Sequence, residues 1–405
     1  MFARFIAKRF LSHKRGSFSA PLVRIATCSI ALGVLVMAMS VSILRGFQRA
    51  ISDKVVGFGS HIVVKSYDQT GIYEDAPYRI EPTENEAVVQ IPGVRHLQFF
   101  ATKGGMVKTD NQIHGILFKG VNRDYDLSFF ENELVRGRLF SLADSTASTE
   151  VIISQTIARK LELDTGSKVR TYFWQGDSYR ARAFTVTGIY NTDLTEFDEH
   201  FILGDLRQVQ RLNGWSTDLA GGCEILVDDF SRLNAVAQQV ADATGVDRTV
   251  STIVDENPTL FSWLELLNSN IVLILSIMAM VCIVAVISAL LIMIFEKTRM
   301  IGILKTLGAS NRTIRLIFLI KSARITGSGI AIGTALAVAL CLVQHSWRLV
   351  RLDSESYSVG YVPVDLNPWI FVTIAAATAL VCTAALLLPA AYISRIEPAK
   401  TIKQE

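Results

Sequence analysis

Four stretches of the chain lack the polar punctuation of the rest: Leu22 to Leu44, Asn270 to Phe295, Ile325 to Val343 and Pro368 to Tyr392. A hydrocarbon core about 30 Å thick needs about 20 mostly apolar helical residues, so each stretch predicts a membrane span. The second, IVLILSIMAMVCIVAVISALLIMIF, carries no charge at all. Arg24 opens the first run, and Lys321 and Arg324 precede the third, where long cationic side chains reach the head-group region. The first run is too long for a cleaved leader, despite its basic start MFARFIAKRF. Arg45 to Ser269, about 225 residues, has a different texture. Short β-rich stretches recur at His61–Lys65, His114–Val121, Glu150–Ser154, Lys168–Trp174 and Arg182–Tyr190, with helical patterns over Thr156–Leu163, Leu206–Leu212 and Leu233–Ala243. The pattern predicts a membrane protein: a four-helix transmembrane bundle with an inserted α+β (mixed α/β) domain, in two lobes whose boundary the pattern leaves open.

Composition sharpens this. Of 405 residues, 50% are hydrophobic and 19% charged, with a mean hydropathy of +0.35, which sets aside a plain soluble protein, disorder and a collagen-like chain. The net charge of +3 with no basic stripe gives no reason to expect nucleic acid as a partner. Four of the five cysteines lie in apolar runs, and Cys223 alone outside them has no evident mate, so no structural disulfide is expected.

Charge placement orients the spans. Arg4, Lys8, Arg9, Lys14 and Arg15 precede the first span, and Lys297, Arg299, Lys305, Arg312 and Arg315 follow the second. The loop between the third and fourth carries Arg348 and Arg351 against Asp353, Glu355 and Asp365. Basic flanks stay inside, so both termini are expected in the cytoplasm and the large domain outside it. The expected layout is a cytoplasmic segment 1–21, spans at 22–44, 270–295, 325–343 and 368–392, an outer domain 45–269, a cytoplasmic connector 296–324, a short outer loop 344–367 and a cytoplasmic tail 393–405.

Catalytic motifs are missing: the sequence holds no G-x-S-x-G, H-E-x-x-H, C-x-x-C or G-x-x-x-x-G-K-[ST]. Gly166-Ser167-Lys168 reads as a turn. The acidic run Glu196–Glu199 with His200 is the one conceivable cation site, and a solvated edge or loop is the better reading. A membrane hydrolase therefore has no nucleophile or acid–base set to carry it, and no catalytic, cofactor or metal residue is expected in the chain.

The informative stretch is the connector. Met300, Ile303, Leu304 and Leu307 recur at i, i+3, i+4, i+7, one face of a short amphipathic helix. Gly308 ends it and Ser310 caps the next helix. Such a helix either anchors to lipid or docks its apolar face into a groove on a cytoplasmic partner. In the third span Gly329 and Gly333, continued by Ala337, permit close helix approach, within the chain or at a dimer seam.

These residues carry a resemblance. EKTRMIGILKTLGAS, Glu296 to Ser310, with NRTIRLIFL after it, closely resembles the E-[RK]-T-R-E-I-G-I-L-[KR]-[AT]-[LM]-G-A-S signature of the FtsX/MacB-type ABC-transporter permeases. LLPAAYISRIEPAKTIKQE, from Leu387 to Glu405, is similar to the family's closing motif, and places an FtsX-like permease domain at about 270–400. The stretch from Phe5 (FIAKRFLSHKRGSFSAP) to Val64, and Ser356 to Pro363 (SYSVGYVP), resemble the lipoprotein-releasing (Lol) permeases, the LolC/LolE branch. The likeness is specific over about 180 residues at the two ends and the four spans, and rests on order and size across the outer domain.

The resemblance implies a bacterial inner-membrane permease with a MacB-type periplasmic core domain and no ATPase of its own. It would pair with a second permease copy or a paralogue and with two copies of a cytoplasmic ABC ATPase, which would bind ATP and Mg. Hydrolysis there would release lipoprotein cargo from the membrane lipids to a periplasmic carrier by mechanotransmission. Glu296, Arg299, Met300, Ile301, Gly302, Ile303, Leu304, Lys305, Leu307 and Gly308 would form the ATPase-coupling helix, with Met300, Ile303, Leu304 and Leu307 as its contacts. Met300 stands where Glu is common, and Lys321 where Gln or Glu is frequent, so polar contacts made there by relatives do not carry over. A MacB-like export permease and a non-transporting receptor with a periplasmic sensing domain are the alternatives.

Overall fold

The structure, a computed structural model, describes residues 19–68, 74–109, 112–142, 146–175, 178–353 and 357–392. The basic N-terminal segment, the tail motif beyond Tyr392 and Ser356 lie outside the described residues. The chain divides into two compact units. One holds the residues up to Gln48, Trp263–Arg351 and those from Val362 onward; the other holds Arg49–Ser262 with Leu352–Tyr361.

Four helices in the described residues are long and apolar enough to cross a membrane. The first spanning helix is Ser19–Gly59, the second Pro258–Glu296, the third Asn311–Trp347 and the fourth Pro368–Tyr392. Three outrun the apolar stretches that predict them, because polar residues such as Arg45, Glu265 and Arg312 continue a helix whose backbone bonds are already made. Between the second and third lies a short helix, Thr298–Thr306.

The membrane unit is packed around the first helix. Ile30, Val34 and Met37 join Cys282, Val286 and Leu290 of the second helix, Ile314, Ile317 and Phe318 of the third, and Cys382 and Leu386 of the fourth in one buried cluster. Gly329 and Gly333 settle against the first helix of the same chain. A Cβ at Gly329 would lie 2.9 Å from the Ile30 Cβ, and one at Gly333 would run into the Ala31 carbonyl oxygen. Ala337 and Cys341 continue the seam beside Ala38, and Ser42 donates to the Asp365 carbonyl at 2.5 Å. Small residues here let two backbones approach, and dispersion rather than hydrophobic burial does the joining.

Among the described residues, the second unit is built on a sheet of ten strands. They are β1 (Ile62–Ser66), β3 (Val94–Lys108), β4 (Ile113–Val121), β5 (Leu134–Gly137), β6 (Glu150–Ser154), β7 (Lys168–Gln175), β8 (Ser178–Tyr190), β9 (Phe201–Asp205), β11 (Gly222–Val227) and β12 (Arg248–Thr252); β2 (Tyr78–Arg79) and β10 (Leu219–Ala220) pair separately. The order is β12-β1-β11-β3-β4-β9-β6-β8-β5, and β7 bridges β8 back to β3. Strands β3, β4, β9, β6, β8 and β7 therefore close a ring, while β11, β1 and β12 extend from the first half of β3. These are the two lobes, and β3 belongs to both.

Alternation explains the ring. Along β7, Val169, Thr171 and Phe173 point in, while Lys168, Arg170 and Trp174 point out. Phe118, Phe173 and Phe184 meet inside with ring centres 5.0 to 6.2 Å apart, flanked by Val151, Ile153, Val186 and Ile202. Gly105 leaves room for them, since a Cβ there would lie 2.9 Å from Phe173. Helices Gln155–Leu161 and Leu206–Asn213 add Ile157, Leu161, Leu206, Val209 and Leu212 to the same core.

Gly333→Leu should force the first and third helices apart, at a cost of about 3 kcal/mol. Gly327→Leu, where an added Cβ would meet none of the described residues within 4 Å, is the control. Melting of the full chain in detergent should show a lowered transition only for Gly333→Leu.

Candidate functional site

The short connector helix is held at both ends by backbone geometry. It starts just after the second spanning helix, where Lys297 pairs with Glu296 at 2.8 Å. It closes with Leu307 N–H donating to Ile303 O and Ala309 N–H to Leu304 O, Gly308 supplying a φ of +87°. Ser310 then caps the third spanning helix, its Oγ accepting from Thr313 N–H at 3.3 Å. Two residues, Ala309 and Ser310, thus separate the end of the closing turn from the next helix.

The apolar stripe is divided between two tasks. Ile301 and Gly302 are buried, and Met300 and Leu304 pack against the same cluster as Ile294, Ile314 and Phe318. Ile303 is 48% and Leu307 78% exposed. Arg299 and Thr306 are exposed beside them, and Lys305 is half-buried. A periodicity of 3.6 gathers Met300, Ile303, Leu304 and Leu307 within about 100° of arc. It does not say that one edge of that arc is used to fasten the helix to the bundle. What remains open is a small apolar surface, Ile303 and Leu307, on a helix that cannot rotate without disturbing the spans.

The outer unit offers two exposed features. At the far end of the β7–β8 hairpin, Trp174 and Tyr179 face each other across the ladder, rings 4.8 Å apart, each more than half exposed. Nearby, Lys108, Lys168 and Arg170 line a cleft of about 710 Å³ with Thr109, Gln112, Ser167 and Tyr172. Lys108 and Arg170 stand directly opposite in the β3–β7 register, an arrangement of like charges that weakens a ladder. Sequence reading missed both features. The alternation along β7 marks Trp174 as outward, but only the register brings Lys108 to Arg170.

The acidic run with His200 is taken apart by the fold. Asp198 turns inward and accepts from Thr192 N–H at 3.1 Å and Thr192 Oγ1 at 2.8 Å. Glu199 pairs with Lys160 at 2.9 Å, and His200 stacks on His114. Among the described residues no three His, Cys, Asp or Glu gather in a way that would hold a metal ion. Burial pushes the Asp198 carboxyl up to about 6. Burial, with Arg95 nearby, brings the His61 imidazole down to about 4, where its Nδ1 accepts from Val227 N–H at 3.2 Å.

Two families match parts of the chain: the MacB-like periplasmic core domain over residues 25–243 and the FtsX-like permease C-terminal over residues 272–398. The chain is similar to the "Lipoprotein-releasing system transmembrane protein LolC" of Neisseria meningitidis serogroup B, 23% identical over 424 residues and covering 99% of this chain and 98% of that one. LolC of Xylella fastidiosa (strain 9a5c) is 24% identical with the same coverage, and LolE of Haemophilus influenzae is 23% identical over 96% of this chain and 97% of that one. Among solved structures, the periplasmic region of MacB from Actinobacillus actinomycetemcomitans is 12% identical with a TM-score of 0.35, covering 53% of this chain and 98% of that one.

The two shifted groups act oppositely on stability. Asp198 holds its proton more tightly folded than unfolded, so its contribution, on the order of 3 kcal/mol, is present at low pH and is lost as pH rises from 3.8 through about 6. His61 resists its proton, so its contribution is present above 6.5 and is lost as pH falls toward about 4. Melting of full-length protein should therefore fall more steeply on acidification from pH 6.5 to 4 in Asp198→Asn than in wild type, and less steeply in His61→Gln. Identical slopes in all three would remove both groups from this account.

Proposed function

Since the chain belongs to the MacB-like periplasmic core domain family, with an FtsX-like permease region after it, we propose that it is the transmembrane subunit of a bacterial ABC transporter that releases lipoproteins from the inner membrane. In this reading its large domain is periplasmic and both termini are cytoplasmic. It binds no nucleotide itself; two copies of a separate ATPase bind ATP and Mg, and a second permease copy or a paralogue completes the complex.

The observation that carries the reading is the divided helix Thr298–Thr306. One edge, Met300, Ile301 and Leu304, is sunk in the cluster formed by the spans, while Ile303 and Leu307 face outward. An apolar pair seated in a groove of the ATPase moves with that groove. Because the helix is fastened by its other edge, the motion passes into the second and third spanning helices rather than into local rotation. An interfacial helix serving only as a lipid anchor has no need of so tight a connection to both. The near-full-length similarity to lipoprotein-releasing system transmembrane proteins supports lipoprotein as the cargo; in this reading its recipient is a soluble periplasmic carrier. The exposed Trp174 and Tyr179 suit contact with such a carrier, since paired aromatic rings at a surface are rich in contact area for little entropy.

Two measurements test this. Purified with its ATPase in proteoliposomes, the protein should release acylated lipoprotein only when ATP is supplied; turnover indifferent to lipoprotein and carrier would overturn the assignment. Ile303→Asp with Leu307→Asp should abolish co-purification of the ATPase while membrane insertion persists, because a carboxylate buried in an apolar groove is costly. Met300→Ala should instead act first on the melting of the permease.

A further inference from the structure

Two deeply buried charges of the outer unit, Lys119 and Glu224, lie where the first spanning helix ends. That helix stops at Gly59, and Ser60 takes up a left-handed φ of +62°, its N–H donating to Val56 O at 2.7 Å. The last carbonyls of a helix have no partner within it. One of them, Phe58 O, accepts from Lys119 Nζ at 2.8 Å. The Lys119 ammonium also pairs with Glu224 Oε1 at 2.6 Å, and both side chains are under 5% exposed. Its remaining surface faces the rings of Phe58, Phe100 and Tyr125, 5.2 to 5.6 Å away.

The carboxylate is equally enclosed. Glu224 Oε2 accepts from Tyr125 OH at 2.7 Å, from Gln98 Nε2 at 3.1 Å and from Ser60 Oγ at 3.3 Å, and Gln98 Oε1 accepts from Asp126 N–H at 2.9 Å. Burial beside that carboxylate holds the Tyr125 phenol well above its usual range, so it stays a donor. Glu224 on β11 lies opposite Gln98 on β3, and Lys119 lies on β4, the next strand. One polar network therefore joins three adjacent strands to the end of one helix.

A buried ion pair is poor value as a stabiliser, because two well-packed apolar side chains usually do as well or better. What it does supply is direction: a cation held at a helix C-terminus has one low-energy position. We propose that Lys119, held by Glu224, is a positioning residue that clamps the end of the first spanning helix to the sheet, so that displacement of the helix is delivered to the outer domain instead of being absorbed at the junction. The transmitting role rests on the proposed function; the clamp itself does not.

The test uses the full chain with Cys28→Ser and spin labels on cysteines placed at Arg49 and Val246, both exposed. Wild type should give one narrow distance distribution. Lys119→Met with Glu224→Gln removes both charges and the bond to Phe58 O but keeps an acceptor for Tyr125, so the protein should still melt cooperatively. Its distribution should broaden at least two-fold, and in proteoliposomes lipoprotein release should fall at least ten-fold while ATP turnover stays within two-fold. A distribution as narrow as wild type overturns the clamp, and a broadened one with undiminished release overturns its transmitting role. If the double variant does not melt cooperatively, Lys119→Arg takes its place: a narrow distribution with release retained supports the clamp, and a broad one overturns it. The labels need neither ATPase nor cargo. A wild-type protein that releases no lipoprotein would thus sink the function and leave the clamp standing.

Discussion

Inside hydrocarbon there is no hydrophobic force to bring helices together, so they associate only where their surfaces fit closely enough for dispersion to act. The seam between the first and third spanning helices meets that constraint with Gly329, Gly333 and Ala337 against Ile30, Ala31, Val34 and Ala38. Gly33 meets it again on the other side, where a Cβ would lie 2.5 Å from Cys282 Sγ of the second helix. The first helix is thereby gripped by two neighbours, and the buried cluster around Ile30, Cys282 and Phe318 depends on that grip. A looser bundle would leave the connector helix with nothing firm to be fastened to.

In the proposed function, fastening is what gives the connector its use. A helix with its whole apolar stripe free would bind a partner well and then turn within the groove. With Ile301 committed to the bundle and Ile303 and Leu307 left outside, the contact surface is smaller but its motion is not lost. The trade is affinity for coupling. In the proposed function it suits a subunit whose partner hydrolyses the nucleotide.

The spans and the connector were legible because bilayer thickness and the 3.6-residue period are strong local signals. The mixed outer domain was legible in outline: the EVIIS stretch, Glu150–Ser154, and Lys168–Trp174 both read as strands from their own composition. The longest strand, β3, was not. Its sequence VRHLQFFATKGGMVK breaks alternation with polar residues and two glycines, because its first half pairs with β11 while its second half, from Phe100, pairs with β4 and, from Gly105, with β7 as well. Glu224 was equally hidden. Nothing local distinguishes it from a surface carboxylate, and its burial follows from Lys119, Gln98 and Tyr125, all distant in the chain.

The same contrast separates two kinds of contact in the outer unit. Apolar packing is more forgiving: a core such as Phe118, Phe173 and Phe184 accepts volume-conserving apolar swaps at modest cost. A hydrogen-bonded ion pair is not, because each partner left alone is a buried charge without compensation. Placing such a pair where a membrane helix ends makes the junction hard to slip, whereas an apolar contact of equal stability would let the helix slide along the sheet at little cost. Lys119 and Glu224 therefore add little to the stability of the domain, and much to the definiteness with which it is held.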